Sequence, residues 1–267
     1  MIKNLRLSRI SLRTAFVLLT CICIWAGKSS IDAQRQRSAV EWIVKTGGSV
    51  SYAWEWDEKT QSKIKENPTP RWLRTLLGDD YFRTVTSVDL QEKKLSDLSP
   101  LIKLPHIRSL RIRKAGITDL EPLAALHEMK TLLLIENEIS DLQPLAEMQT
   151  LEILVLENND IVDLSPLGVL RKLDTLDVTG NAIRDLSPIA HLPNLRALIL
   201  SENPVRDLSP LRTLPALEMI RLEDGKVRDC SPLFEIPTLR VAQLHGNEGL
   251  SKEEYVDLQK HLGRPRP

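Results

Sequence analysis

"DLSPLGVLRKLDTLDVTGNAIRDLSPI" spans Asp163 to Ile189 and contains DLSP twice, 22 residues apart. The interval marks either a chemical site used repeatedly or a unit of architecture. Read outward, the same spacing holds for DLSP at Asp97, DLEP at Asp119, DLQP at Asp141, DLSP at Asp207 and DCSP at Asp229. In the unit that opens at Leu151, apolar residues Leu151, Leu154, Leu156, Ile161, Leu164, Leu167 and Leu170 fill positions 1, 4, 6, 11, 14, 17 and 20. A shift of 22 lands on Leu173, Leu176, Val178, Ile183, Leu186, Ile189 and Leu192. Seven full units run over 85–238 and a truncated eighth over 239–250. A repeat of this length stacks into a quasi-one-dimensional array, each unit burying its apolar side against the next.

Elementary chemistry assigns each part of the unit. Positions 4 and 6 alternate with polar neighbours, which predicts a short strand buried on one side. Position 9 is Asn137, Asn159, Asn181, Asn203 and Asn247, whose amides can satisfy backbone groups where the chain leaves the strand. Lys93, Ala115 and Gly225 interrupt that ladder, so stability is expected to fall there. Proline at position 16 suits the start of a helical turn, and the serine before it reads as its N-cap. The aspartate two residues ahead of that serine position suits an Asx-type turn. A short 3₁₀ turn on the side opposite the strand follows.

The pattern L-x-x-L-x-L-x-x-N-x-I resembles the 22-residue class of leucine-rich repeats found in bacterial internalins and in a regulatory subunit of protein phosphatase 1. The resemblance covers residues 85–250. It implies an α/β solenoid with a parallel sheet on the concave face, 3₁₀ or helical turns on the convex face, and helical caps at both ends. A fold of this kind does not name its partner.

The ends differ in composition. Residues 1–27 place Lys3, Arg6, Arg9 and Arg13 ahead of an uncharged run from Thr14 to Gly27. An uncleaved signal anchor, a cleaved export signal and a buried helix are all compatible with it, in that order. The slight excess of Lys and Arg before the run favours a body outside the cytoplasm, on the cytoplasmic membrane or secreted. Residues 28–84 form an N-terminal cap region rich in tryptophan: a helix through Ala39 and Ile43 stopping at Gly47-Gly48, a strand alternating Val50, Tyr52, Trp54 and Trp56, and a helix from Pro70 to Leu77. Its segments, and "SLRTAFVLL" before it, are similar to anchored leucine-rich repeat proteins of planctomycete-type bacteria. Residues 251–267 hold a cap helix and tail, opened by a capping box of Ser251 and Glu254 and lined by Tyr255, Leu258 and Leu262.

Chemistry is sparse. With 36 basic and 36 acidic side chains there is no global field for nucleic acid. The three cysteines make no disulfide framework, no cofactor signature is complete, and the histidines make no metal site. Ser201, Glu223 and His245 share position 7 of successive units, but with the carboxylate in the middle, where a hydrolytic triad needs the imidazole. The outward positions 2, 3, 5, 7 and 8 need no particular residue for folding and are where function is read. There Arg108, Arg111 and Arg113 give a basic rim, Leu133, Ile135, Ile153, Val155 and Ile199 an apolar centre, and Glu157 and Glu223 stand for an acidic far end. That composition describes a protein- or peptide-binding face without catalysis. A structural envelope component contacting a neighbour or polymer is the alternative.

Overall fold

A computed structural model of the chain describes residues 30–53, 56–57, 62–63, 83–91, 94–95 and 97–263. The uncharged run Thr14–Gly27, Trp54, the expected helix Pro70–Leu77 and Lys93 lie outside them. Helix α1 (30–45) is followed by β1 (Ser49–Tyr52), β2 (Trp56–Asp57), β3 (Ser62–Lys63) and β4 (Val85–Gln91). One strand per repeat then follows: β5 (Ser109–Arg113), β6 (Thr131–Ile135), β7 (Ile153–Val155), β8 (Thr175–Asp177), β9 (Ala197–Ile199), β10 (Met219–Arg221) and β11 (Val241–Gln243). Helices α2 (Ser231–Phe234) and α3 (Lys252–Leu262) complete the described elements.

The sheet has nine strands in the order β1-β4-β5-β6-β7-β8-β9-β10-β11. From β4 onward the strands are parallel, while β1 joins antiparallel to β4. The register keeps the repeat: Leu110 pairs Leu132, Leu132 pairs Leu154, and Leu154 pairs Leu176. Each inward leucine therefore stacks on its own equivalent, and one continuous core runs the length of the array. On the opposite side the chain returns through 3₁₀ turns such as Ser165–Val169 and Ser209–Thr213. The repeat at Cys230 uses a turn of α-helix instead.

What locks one repeat to the next is the asparagine ladder. Asn181 Nδ2 donates to Leu156 O of the preceding repeat at 2.9 Å and to Val178 O of its own at 2.9 Å, while its Oδ1 accepts Ile161 N–H at 3.0 Å. Asn137, Asn159, Asn203 and Asn247 repeat the arrangement, all almost wholly buried. Where Ala115 replaces asparagine, its backbone carbonyl takes over and accepts Leu95 N–H at 2.9 Å. Gly225 has no such room. A Cβ there would lie 2.2 Å from Leu222 Cδ2, so the core leucine occupies the space of the missing amide.

The turn itself corrects the expected capping. Serine is the first 3₁₀ residue and proline the second, and the preceding leucine or cysteine at the cap makes no side-chain bond. The cap is the aspartate: Asp163 Oδ1 accepts Ser165 N–H at 2.8 Å and its hydroxyl at 2.6 Å, and Asp185, Asp207 and Asp229 accept the equivalent N–H. Proline lacks the N–H and suits the second place as well as the first.

The ends are covered differently from the expectation in two details. The expected strand from Val50 to Trp56 divides: β1 closes the sheet and ends at Tyr52 with a register shift, and Trp56 belongs to the separate β2–β3 pair. Gln36 of α1 brackets the start of β4, accepting Val85 N–H at 3.1 Å and donating to Arg83 O. At the other end Ser251 caps α3 by accepting Glu254 N–H at 3.1 Å, but Glu254 does not reach back to complete a box. Its Oε1 accepts Cys230 N–H at 2.8 Å, tying α3 to the last full repeat. Gln259 Nε2 donates to Ala242 O of the edge strand at 2.7 Å, and Leu258 is fully buried beneath.

Two outcomes follow from these contacts. Asn181→Ala leaves buried donors and acceptors of two repeats unpaired and should destabilise by about 2–4 kcal/mol. Amide exchange should be faster around Gly225 than around Asn159, and equal protection would contradict the ladder's role. Secondly, the serine bonds hold the carboxyls of Asp97, Asp163, Asp185, Asp207 and Asp229 below their ordinary value. A carboxylate depressed in the folded chain contributes stability above its unfolded pKa of about 3.9 and loses it as pH falls through the folded value. Melting followed by circular dichroism should be level above about pH 5 and fall below about pH 4, less steeply for Asp185→Asn. An unchanged acid limb in that variant would dissociate the turns from acid stability.

Candidate interaction face

Pairing of the sheet decides which outward side chains are neighbours. Arg111 stands beside Leu133 and Arg113 beside Ile135 across β5 and β6. Leu133 pairs Val155, and Ile153 pairs Thr131, across β6 and β7. These two strands therefore carry a contiguous apolar centre of Leu133, Ile135, Ile153 and Val155, in which Ile153 is 37% exposed and the others are half-buried. Ile199 is not part of it. Asp177 of β8 lies between Val155 and Ile199 in the same row.

The basic strand is held by acids from both sides. Arg113 and Lys114 share Glu136 at 2.6 and 3.1 Å, which keeps that carboxyl below its usual range. Arg111 reaches Asp89 at 3.6 Å and Arg108 reaches Glu128 at 3.7 Å, long contacts between half-exposed groups. Such pairs contribute little and exchange readily with a partner's charges. Glu128 also accepts from His106 at 2.9 Å, and that bond is the main reason its carboxyl is depressed.

Sequence reading missed Lys130, and it missed Glu152, Asp174 and Asp177, three acids that lie in the middle of the sheet rather than at its far end. The signal was present at positions 2 and 5 of their repeats. Lys130 and Glu152 bond at 2.9 Å across β6 and β7, and Asp174 meets Arg196 at 3.7 Å. Asp177 Oδ1 accepts both Thr179 N–H and its hydroxyl.

Position 8 also departs from expectation, because it is constrained by the fold. Lys114, Glu136, Asn158, Glu202 and Asp224 all have φ between 52° and 57°, and Gly180 and Gly246 have φ of 67° and 75°. The chain turns off each strand from β5 to β11 through the left-handed region, where asparagine and glycine fit and larger residues are held by the repeat on either side.

The position 7 ladder is ordered as expected. Ser201 is 7% exposed and its Oγ accepts Glu223 N–H at 3.1 Å. His245 Nδ1 lies 3.6 Å from Glu223 Oε1 and packs edge-on to Tyr255, so the imidazole addresses the carboxylate and not the serine. Cys230 is buried, and its thiol is pushed up to about 12 by burial first and by the Glu254 carboxylate second. Among the described residues no group of three or more metal-ligating side chains forms.

Comparison with known proteins agrees with this geometry. A sequence-family profile described as leucine rich repeats (2 copies) matches residues 149–191. The solved structure of internalin C2 from Listeria monocytogenes is 33% identical, with a TM-score of 0.57 over 63% of this chain and 74% of that one. The chain belongs to the internalin-like leucine-rich repeat proteins. Internalin F from the same organism aligns at 24% identity and TM-score 0.62, over 71% of this chain and 58% of its own. This chain thus spans little more than half of that relative. A leucine-rich repeat protein of Leptospira interrogans shares the fold at 22% identity and TM-score 0.59, over 72% of this chain and 49% of its own. No curated protein sequence matches significantly.

The rim of the face can be probed at one of its tight turns. At Gly180 a Cβ would stand 2.2 Å from Asn158 Oδ1 in a left-handed backbone. Gly180→Ala should cost about 1–2 kcal/mol in denaturant titration. A silent substitution would show that the turn relaxes without resistance.

Proposed function

We propose that the protein is a binding module that takes a protein or peptide partner on the strand face of its solenoid, without catalysis of its own. The apolar centre on β6 and β7 carries this reading. Leu133, Ile135, Ile153 and Val155 point away from a core that is already complete, and charged side chains rim them. An interface with a dry centre and polar edge has that composition. The repeat fold supports the same reading, since its sheet exposes a rigid surface whose residues folding leaves largely unspecified.

The location proposed with it is the outer side of the cytoplasmic membrane, held by Thr14–Gly27. The four basic residues ahead of that run support it. Among the described residues no helix is long and apolar enough to cross a membrane.

A pull-down with residues 28–267, followed by affinity measurements on the purified partner, tests the reading. Ile135→Lys and Val155→Lys should each weaken binding at least tenfold while leaving the melting temperature nearly unchanged. Arg111→Glu should weaken it most at low salt, where screening is least. Binding that survives all three, yet is lost on changing Val162 or Arg206 of the turns opposite the strands, would place the site on the other side.

A further inference from the structure

Two rows of side chains run across the strands, and both change sign at the same boundary. Along position 2 the order from β5 to β8 is Arg108, Lys130, Glu152, Asp174; along position 5 it is Arg111, Leu133, Val155, Asp177. The face is therefore positive at β5, apolar along position 5 of β6 and β7, and negative at β8. Lys130 and Glu152 pair with each other at 2.9 Å in the middle of the position 2 row, whereas Arg108, Arg111 and Asp174 at the ends of the rows meet their partners only at 3.6–3.7 Å, so the polarity is carried by the ends.

We infer that the face accepts an amphipathic α-helix lying across the strands, with its acidic N-terminal turn over Arg108 and Arg111 and its basic C-terminal turn over Asp174 and Asp177. This rests on the strand-face reading above and adds to it the partner's form and direction. Three strand steps of about 4.8 Å separate β5 from β8, roughly 14 Å. That distance corresponds to about ten residues of helix at 1.5 Å each. An extended segment laid on the apolar centre would bury backbone groups with no partner, since the sheet's own are already paired; a helix satisfies its own. The direction follows from charge, because a helix favours acidic residues in its first turn and basic ones in its last. A pair of apolar side chains three or four residues apart would rest on Leu133 and Val155.

The test uses two synthetic peptides of about 14 residues, held helical by a side-chain staple, with the same apolar pair and opposite charge order. Titrations into the isotope-labelled chain give affinity and site together. The expected result is at least tenfold tighter binding of the peptide with the acidic N-terminus, with amide shifts confined to β5 through β8. Arg111→Glu combined with Asp174→Lys should invert that preference, and the melting temperature of the double variant reports its folding. If the Arg111–Asp174 pair lowers the melting point severely, Arg108→Glu alone should still reduce the forward peptide's advantage. Equal affinity for both peptides on the strand face would overturn the polarity while leaving the strand-face reading intact. Shifts on the 3₁₀ side would overturn both readings, and no shift with either peptide overturns this one. Self-association of the chain alone that Arg111→Glu abolishes would assign the face to a second copy and overturn the helix.

Discussion

Everything in this structure depends on one constraint: a 22-residue unit leaves buried backbone groups that only its neighbour can satisfy. Asn181 shows how the constraint is met. One side chain, bonded to Leu156 O, Val178 O and Ile161 N–H, belongs to two repeats at once. Deleting it would orphan groups on both sides, an expensive loss inside a protein. The leucines add burial without direction, and the asparagine adds the direction. Together they make the stack a single cooperative object with a defined register.

Because the inward positions and the turn are so fully committed, variation is pushed to the outward face of the strands. Asp163 and its equivalents spend their carboxylates on the first 3₁₀ turn, and their acid strength follows from that bond. The left-handed residues after β5 to β11 spend their conformation on leaving the strand. What remains unspent is the outer face of β5 to β9, and there the composition stops resembling a repeat. Serine, isoleucine, threonine and alanine alternate at position 3, and arginine, leucine, valine and aspartate at position 5. The fold is indifferent to them, so a partner can be the reason for them.

The period, the strand positions and the asparagine ladder were legible because each is a repeated residue with one physical use. Features that depend on geometry rather than identity were not. The left-handed turn at position 8 is written in Asn158, Gly180 and Gly246, but Lys114, Glu136, Glu202 and Asp224 hide it. Serine before proline looks like a cap until the aspartate two residues earlier is seen to accept the serine's own N–H. Glu254 sits where a capping box would use it and instead reaches from the cap helix to Cys230 in the last full repeat, a contact that no local pattern encodes. The polarity of the face was missed for a related reason: it appears only when one position is read across repeats rather than along the chain. Ile199 was grouped with the apolar centre by its position, and the intervening Asp177 removes it.

If the period is architecture, one whole unit is dispensable and a fraction of one is not. Excising residues 181–202 joins Gly180 to Asn203, preserving the ladder, the turn and every register across the new junction. The shortened chain should keep its circular dichroism shape and unfold in a single cooperative transition, at a somewhat lower denaturant midpoint. Excising only residues 181–191, half a unit, should abolish that transition. Equal loss of structure in the two deletions would contradict the account, since it would mean that repeats 22 residues apart are not interchangeable elements of one stack.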